Sequence, residues 1–398
     1  MSRKPFFIHF MGLTYGSYLK IHYKIKTAGF ENIPKEGPYL VLSNHTHLLD
    51  SFFISAVMNS HIRWIAGAYL FKNQILKILL TKLVGSIGKQ QGRSDLTTIS
   101  NVKEAFRKGE NVGLFPEGTR TWDGEPLGFS VATAKFVRLF NVPVVLMNLE
   151  GNYALKPRWA QKARKGPFTI RVVDVLKPKE IKELTLQELY ELLDEKLGFS
   201  FAKWQQLNKK RYVGKRKAEK IERLLYLCPS CNGRSTIHSH KNSLFCSDCS
   251  LKATLDEYEN LIFNEKQTVN SVSEWNQWQK QYLSTIEDEK VFPDDKGVLL
   301  QRGIEGKLLT LSKNFSLSLE KERLVVSFSK RVTTGILKGF ETLSFEFSKM
   351  ESMIINAKGT VEFFNDGQLW RIRIEGSKSI LKYVEWYENC YKNQQEVL

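Results

Sequence analysis

Apolar positions in the first half of the chain come in short runs closed by turn residues. "YLVLSN" (39–44), "NVGLFPEG" (111–118), "VPVVLMNLEG" (142–151) and "FTIRVVDVL" (168–176) predict four buried strands. Between them, "HLLDSFFISAVM" (47–58) and "TAKFVRLF" (133–140) read as helical, and "TLQELYELLDEKLGFSFAKW" (185–204) predicts one closing helix. Strands interleaved with helices predict an α/β domain over residues 29–205, a mixed sheet covered by helices. The second half changes period. "FSLSL" (315–319), "LSFEF" (343–347) and "LWRIRI" (369–374) alternate, with Trp370, Ile372 and Ile374 on one face and Arg371 and Arg373 on the other. Asp366-Gly367, between "TVEFF" and "LWRIRI", predicts a hairpin. Ile380, Val384, Tyr387 and Tyr391 mark the apolar face of a final helix.

At 398 residues the chain has room for two or three domains, each with its own core. Charge adds a constraint. Lys and Arg number 59 against 42 Asp and Glu, a net charge of +17. Such an excess favours an anionic partner: nucleic acid, anionic lipid or a phosphorylated substrate. Residues 203–223 hold nine Lys/Arg against two Glu. The segment 206–225 reads as a basic linker helix, either a solvated face or an arm on an anionic membrane surface, where each basic residue contributes about 1 kcal/mol.

The N-terminal "MSRKPFFIHFMGLTYGSYLKIHYK" has a basic start and an apolar stretch but lacks a small-residue cleavage site, so a secretory signal is not expected. Its uncharged part, Pro5 to Leu19, falls short of the roughly 20 residues of a spanning helix. Residues 1–28 instead predict a helix lying in the membrane interface through Phe6, Phe7, Phe10, Met11, Tyr15 and Tyr18, or packing on the protein's own core.

Four of the five cysteines form the pairs Cys228/Cys231 and Cys246/Cys249, and Cys390 stands alone. "CPSC" and "CSDC" are separated by fourteen residues. Two such knuckles place four thiolates around one tetrahedral ion, which predicts a zinc ribbon over 226–265 rather than a disulfide framework, in a reducing cytoplasm. All four positions are protein ligands, so the expected zinc is structural. His238 and His240, between the knuckles, are expected at the surface. No base-reading pattern accompanies the ribbon, and no nucleic-acid partner is expected.

The stretch "NHTHLLD" sets Asn44, His45 and His47 directly after a predicted strand and Asp50 five residues beyond His45. On one regular helix His45 and Asp50 would lie about 140° apart and could not meet. They meet if His45 sits in the strand-to-helix turn and Asp50 in the first turns of the helix, with Asn44 or Thr46 as cap. A carboxylate on one imidazole nitrogen leaves the other free to take a proton. The alternatives are a zinc site of His45, His47 and Asp50, or a capped helix with incidental histidines. Further on, "LFPEGTR" (114–120) puts Glu117 between Pro116 and Gly118 in a tight loop, followed by Thr119 and Arg120. A turn N–H plus a guanidinium makes a reasonable anion clamp.

"NHTHLLD", then "FPEGTR", then "VPVV" (142–145), resemble the glycerol-phosphate acyltransferase superfamily, and within it the 1-acyl-glycerol-3-phosphate and lysophospholipid acyltransferases. The resemblance covers about residues 30–180 and extends to "GFENIPKEGPYLVLSNH" and "AYLFKNQILKILLTKLVGSIG". It implies an α/β acyltransferase domain in which His45 is the general base, oriented by Asp50. Glu117, Gly118, Thr119 and Arg120 would shape the acceptor and phosphate site, and Val142 and Pro143 would help form the acyl-side wall. The implied co-substrate is acyl-coenzyme A or acyl carrier protein, and the implied acceptor a lysophospholipid on the cytoplasmic face of a membrane. Two stretches depart from the family pattern. "GSIGKQQGRSD" (85–95) has Gln90 and Gln91 where basic residues are expected, leaving Lys89 or Arg93 to substitute. "FSVATAKF" (129–136) offers Ser130, Thr133 and Lys135 in place of a Lys/Gly stretch. A different acceptor, or a catalytically silent membrane module, are the competing readings. Over 290–398, antiparallel strands capped by one terminal helix resemble the pleckstrin-homology-like fold.

Overall fold

The computed structural model describes residues 14, 16–67, 85–89, 96–304, 307–329, 338–356, 359–376 and 378–395. They fall into two compact units. The first takes in the chain to Arg158 and Ala163–Gly214, and the second Trp159–Lys162 and Lys215 onward.

The first unit is built on a seven-stranded mixed sheet: β1 (Lys26–Ala28), β2 (Leu40–Ser43), β3 (Ile62–Gly67), β4 (Ile87–Lys89), β5 (Asn111–Leu114), β6 (Val144–Glu150) and β7 (Thr169–Leu176), in the order β1-β7-β6-β2-β5-β3-β4. Neighbours run parallel except β6 and β7. The four predicted strands are all present. The central strand β2 is buried on both faces, so its side chains feed two cores. Val41 joins Phe53, Val145 and Met147 on one side, and Leu40 and Leu42 join Val112, Val144 and Leu146 on the other. Gly113 in β5 permits this closeness, since a Cβ there would meet the Trp64 ring at 2.5 Å and Ile62 at 2.8 Å.

Helices α1 (Ser17–Tyr23), α2 (Asp50–Val57), α3 (Leu96–Arg107), α4 (Ala132–Leu139), α5 (Pro178–Glu183), α6 (Leu186–Leu197) and α7 (Phe201–Asn208) accompany the sheet. The expected single helix over 185–204 is two. A capping box of Thr185 and Glu188 starts α6, and Gly198 ends it, since a Cβ there would lie 2.7 Å from the Asp194 carbonyl. Ser200 Oγ then accepts from the Lys203 N–H and opens α7. The expected linker helix over 206–225 is helical only to Asn208. Lys209 turns left-handed, Lys165 and Val213 pair as an isolated bridge, and one 3-10 turn follows at Ile221–Arg223. Tyr212, fully buried, replaces helical continuity with an anchor into the unit-one core. The interfacial helix expected over 1–28 does not continue to residue 28. Residues 17–23 are helical, whereas Lys26–Ala28 is an edge strand paired with β7. Phe6, Phe7, Phe10, Met11 and Tyr15 lie outside the described residues, as does most of "AYLFKNQILKILLTKLVGSIG".

The second unit begins with a four-stranded antiparallel ribbon, β8 (Ile237–His240), β9 (Ser243–Cys246), β10 (Lys252–Leu255) and β11 (Leu261–Phe263). Helix α8 (Val272–Leu283), not anticipated from the sequence, follows. Then come β12 (Lys290–Ile304), β13 (Lys307–Ser312), β14 (Phe315–Glu320), β15 (Arg323–Ser327), β16 (Thr342–Glu346), β17 (Met350–Ile355), β18 (Val361–Asn365) and β19 (Gln368–Ile374), and the terminal α9 (Leu381–Gln395). The strands order as β16-β15-β14-β12-β19-β18-β17, with β13 hairpinned onto β12. Asp366 and Gly367 have φ of 50° and 70°, the two left-handed residues that a tight hairpin between β18 and β19 requires. Ile380, Val384 and Tyr387 of the predicted face are buried, and the Tyr391 side chain lies outside the described residues. Ribbon and β-rich part share a core: Tyr226 and Leu227 pack with Phe292, and the Tyr226 hydroxyl donates to Glu385 at 2.5 Å.

Candidate functional site

The strand β2 ends at Ser43, and the next six residues form the turn that precedes α2. Asp50 is the first residue of α2 and wholly buried. Its Oδ2 accepts three hydrogen bonds of 2.8 Å, from the Thr46 and His47 backbone N–H groups and from His45 Nδ1. Its Oδ1 accepts from Asn152 Nδ2 at 2.7 Å. The turn thus wraps around the carboxylate, which is how residues five apart come to touch. His45 remains 22% exposed while Asp50 is at 0%, so the pair is sealed on the carboxylate side and open on the imidazole side. With Nδ1 donating to Asp50, Nε2 is the nitrogen left to accept a proton.

The two motif loops are tied to each other. The His45 N–H donates to Glu117 Oε1 at 2.7 Å, and the His45 carbonyl accepts from the Thr121 N–H at 3.0 Å. The Leu127 N–H donates to Glu117 Oε2 at 3.1 Å, so both carboxylate oxygens are engaged by backbone. Burial pushes the Glu117 carboxyl up to about 7. The two backbone bonds oppose that shift, and Asp50 and Asp123 add to it. The His45 ring stacks on Phe115 with centroids 4.2 Å apart, and Phe115 stacks on Trp64 at 4.7 Å. The imidazole is therefore held by a flat apolar wall on one face as well as by its hydrogen bond.

Gly118 has φ +69° at an exposed turn, and its N–H donates to the Phe115 carbonyl at 3.1 Å. That N–H closes the turn, whereas the sequence reading assigns it to an anion. Thr119 and Arg120 follow, both half-exposed. Arg158 Nη1 donates to Thr119 Oγ1 and to the Arg120 carbonyl, each at 3.1 Å, and its guanidinium lies 4.4 Å from the Trp122 ring centroid. Lys89 ends β4, and Arg93 lies outside the described residues, as do Gln90 and Gln91. Val142 is buried in the core on the opposite face of the sheet from Phe115, and the Pro143 carbonyl accepts from the Leu40 N–H. Both directly precede β6 in the chain. Ser130 and Lys135 face solvent and Thr133 is buried.

His47 turns away from its neighbour. Its Nδ1 accepts from the Leu49 N–H at 3.1 Å, and its ring packs on Phe53. Burial pushes the imidazole down to about 4; Asp50 opposes this, and the charges of Arg120 and Lys156 add to it. A zinc site of His45, His47 and Asp50 is thereby removed, because the two imidazoles serve different partners. Among the described residues one group brings metal-ligating atoms together: Cys228, Cys231, Cys246 and Cys249, with all ligand atoms within 4.8 Å of one another. The Sγ separations are 3.6 Å for Cys228–Cys249 and 3.7 Å for Cys231–Cys246. A tetrahedral ion with bonds of about 2.3 Å needs sulfurs about 3.8 Å apart, so the four thiols fit one ion.

Sequence reasoning missed Asn152, Phe115, Trp64 and Arg158. Asn152 is fully buried, with Nδ2 on Asp50 and Oδ1 accepting from Thr46 Oγ1 at 2.6 Å. The turn that delivers it depends on Gly151, where φ is +90° and a Cβ would lie 2.4 Å from the Tyr212 hydroxyl. Only that glycine, directly after a predicted strand, is a signal visible in the sequence.

Residues 24–149 match the family model described as Acyltransferase. A chloroplastic 1-acyl-sn-glycerol-3-phosphate acyltransferase of Brassica napus is 28% identical over 155 residues, 38% of this chain and 44% of its own length. A protein of the same name from Helicobacter pylori is 31% identical over 134 residues, 32% of this chain and 56% of its own length. A solved 1-acyl-sn-glycerophosphate acyltransferase from Thermotoga maritima aligns at 24% identity and a TM-score of 0.42, covering 50% of this chain and 78% of that one. The chain spans about half the length of the curated relatives it matches. The stretch that matches, residues 24–149, is the one that holds "NHTHLLD" and "FPEGTR".

Proposed function

We propose that the first unit transfers an acyl chain from an acyl thioester, carried by coenzyme A or acyl carrier protein, to the free hydroxyl of a lysophospholipid, with 1-acyl-glycerol 3-phosphate as the leading acceptor. The observation that carries this reading is the 2.8 Å His45–Asp50 pair, open on its imidazole side and tied through Glu117 to the loop bearing Arg120. In this reading His45 Nε2 takes the acceptor's hydroxyl proton as the oxygen bonds to the thioester carbonyl carbon. The tetrahedral adduct collapses, the C–S bond breaks, and the leaving sulfur recovers the proton from the imidazolium. A thioester is already a good electrophile, so no covalent enzyme intermediate is needed, and a base of this kind contributes about 10²–10⁴ in rate. Asp50 holds the tautomer and stabilises the imidazolium. Glu117, with both oxygens on backbone N–H groups, keeps the two loops in register. Thr119 and Arg120 face the acceptor's phosphate, a geometry a guanidinium suits.

In the second unit, Cys228, Cys231, Cys246 and Cys249 would hold a structural zinc, supported by the fit of their sulfur spacing. The strand order and terminal helix support a pleckstrin-homology-like assignment for residues 290–398. No helix among the described residues is long and apolar enough to cross a membrane. Peripheral attachment to the cytoplasmic face of a membrane is supported by the exposed Tyr18 and Ile21 of α1 and by the exposed Lys209, Lys210 and Arg211.

The test is a product assay of the purified full chain. Labelled lysophosphatidate, other lysophospholipids and glycerol 3-phosphate are offered with acyl-coenzyme A and with acyl carrier protein. Diacyl product from a lysophospholipid is expected. Absence of product from every lysophospholipid, with either donor, rejects the reading.

A further inference from the structure

The Asp50 carboxylate is held at both ends. Its Oδ2 gathers His45 Nδ1 and the Thr46 and His47 N–H groups, all from one turn. Three bonds converging on one oxygen fix that atom but leave the carboxylate to pivot about it, which would swing the lone pairs that His45 meets. The second oxygen settles the plane. Among the described residues the partner of Oδ1 is Asn152 Nδ2, at 2.7 Å. The amide is aimed in turn, since its own oxygen accepts from Thr46 Oγ1 at 2.6 Å and leaves the NH2 end facing Asp50. With the Thr46 N–H already on Asp50, the three residues close a ring of hydrogen bonds, each residue at most 2% exposed. The backbone beneath Asn152 has little room to move. Gly151 turns at φ +90°, and a Cβ there would strike the Tyr212 hydroxyl. The Tyr153 hydroxyl donates to the Trp122 carbonyl at 3.2 Å, and the Leu155 carbonyl accepts from the Arg164 N–H at 2.7 Å.

We propose that Asn152 is a positioning residue for the acyl transfer: its amide fixes the plane of the Asp50 carboxylate, and through it the aim of His45 Nε2 at the acceptor hydroxyl. The inference rests on the acyltransferase reading above and adds a residue which that reading does not contain. Asn152 bonds Asp50 and Thr46 rather than the imidazole, so it acts on the base through the carboxylate. A buried carboxylate oxygen without a donor costs stability, and any donor would remove that cost. The ring adds direction. An ionised Asp50 only accepts, so the amide must present its NH2 end there, and the Thr46 hydroxyl then donates to the amide oxygen and keeps it from turning.

The experiment compares Asn152→Ala, Thr46→Val and Thr46→Ser in the full chain and reads two quantities. Steady-state kinetics with lysophosphatidate and an acyl thioester give kcat and KM. The Nδ1–H proton of His45, observed by NMR in protein labelled at its histidine nitrogens, reports the bond to Asp50 without any substrate. Asn152→Ala should lower kcat about 10- to 100-fold with little change in KM, the scale of a small misplacement of the base. Its Nδ1–H resonance should move upfield as the bond to Oδ2 weakens. Thr46→Val, which frees the amide to turn, should show both changes in smaller measure. Thr46→Ser keeps the hydroxyl and should recover most of what Thr46→Val loses. Should Asn152→Ala fail to fold, the two Thr46 variants decide alone. An amide that only stabilises the fold would lower the thermal transition and leave kcat and the resonance as in wild type, and that result overturns the proposal. So does a loss carried by KM, or a Thr46→Ser chain as slow as Thr46→Val. If the wild-type chain forms no product, the acyltransferase reading fails, and the resonance alone decides whether Asn152 aims His45.

Discussion

Replacing Asp50 with asparagine tests the core of the proposed mechanism with almost no change in shape. The carboxylate accepts four hydrogen bonds, three on Oδ2 and one on Oδ1. In Asp50→Asn the side-chain carbonyl can occupy the three-donor side, keeping Thr46, His47 and His45 in place. The introduced amide then opposes Asn152 Nδ2, a donor against a donor. Asn152 can relieve this by rotating its own amide, since Thr46 Oγ1, its partner at 2.6 Å, can accept as well as donate. The loop should survive, and the thermal transition should fall by only a few degrees. What cannot be recovered is the charge. When His45 takes a proton, the attraction between imidazolium and carboxylate, about 4 Å between charge centres at an effective dielectric of about 20, is worth about 4 kcal/mol. Its loss should lower kcat about 10³-fold with little change in acceptor KM. Free thiol released from the acyl donor measures the rate, and near-ultraviolet circular dichroism checks the fold. An Asp50→Asn protein retaining more than a tenth of wild-type kcat would reduce Asp50 to a cap of its own helix and refute the assignment.

Further expectations follow the same logic. His45→Ala should lower turnover about 10²–10⁴-fold while leaving the melting profile near wild type, and full turnover would remove the general base. Glu117 carries a pH signature. Its folded pKa of about 7 lies above the ordinary 4.5, so its contribution is fully present below about pH 4.5 and is lost as pH rises through 7. Relative to Glu117→Gln, wild-type stability should fall by about 3 kcal/mol across that window, read by urea unfolding at several pH values. A flat difference would show that the carboxyl is not desolvated. Cys228→Ser should lower bound zinc, measured by atomic emission, and expose residues 226–265 to protease; full zinc content in the variant would contradict the four-thiolate site. Reversing charge at Lys209, Lys210 and Arg211 should weaken binding to anionic vesicles, with the defect shrinking at high salt. Binding that ignores both the substitutions and salt would move the anchor elsewhere.

Much of the architecture is legible in the sequence because it is local. The runs at 39–44, 111–118, 142–151 and 168–176 are strands, and the Asp366-Gly367 turn forms where two left-handed residues fit a hairpin. The pairing of His45 with Asp50 is legible too, since both lie in one turn and only the turn's shape has to be inferred. Cys228, Cys231, Cys246 and Cys249 need only their spacing. The misreadings sit where a single residue overrides a period. Gly198 splits the helix expected over 185–204, and burial of Tyr212 ends the basic helix expected over 206–225.

The rest of the site required the tertiary structure. Asn152 lies 102 residues from Asp50. Nothing in its neighbourhood marks a buried amide that serves a distant carboxylate, because the choice is made by how β6 emerges beside β2. Glu117 looks from its motif like a residue for substrate, yet each of its oxygens meets a backbone N–H, one of them 72 residues away. Arg158 carries an ordinary surface charge in the sequence, and only folding brings it to the Arg120 loop. The physical reason is common to all three. Side-chain type and local spacing are properties of the unfolded chain, whereas the partner of a buried polar group is set by which strands become neighbours, and burial then makes that partner obligatory.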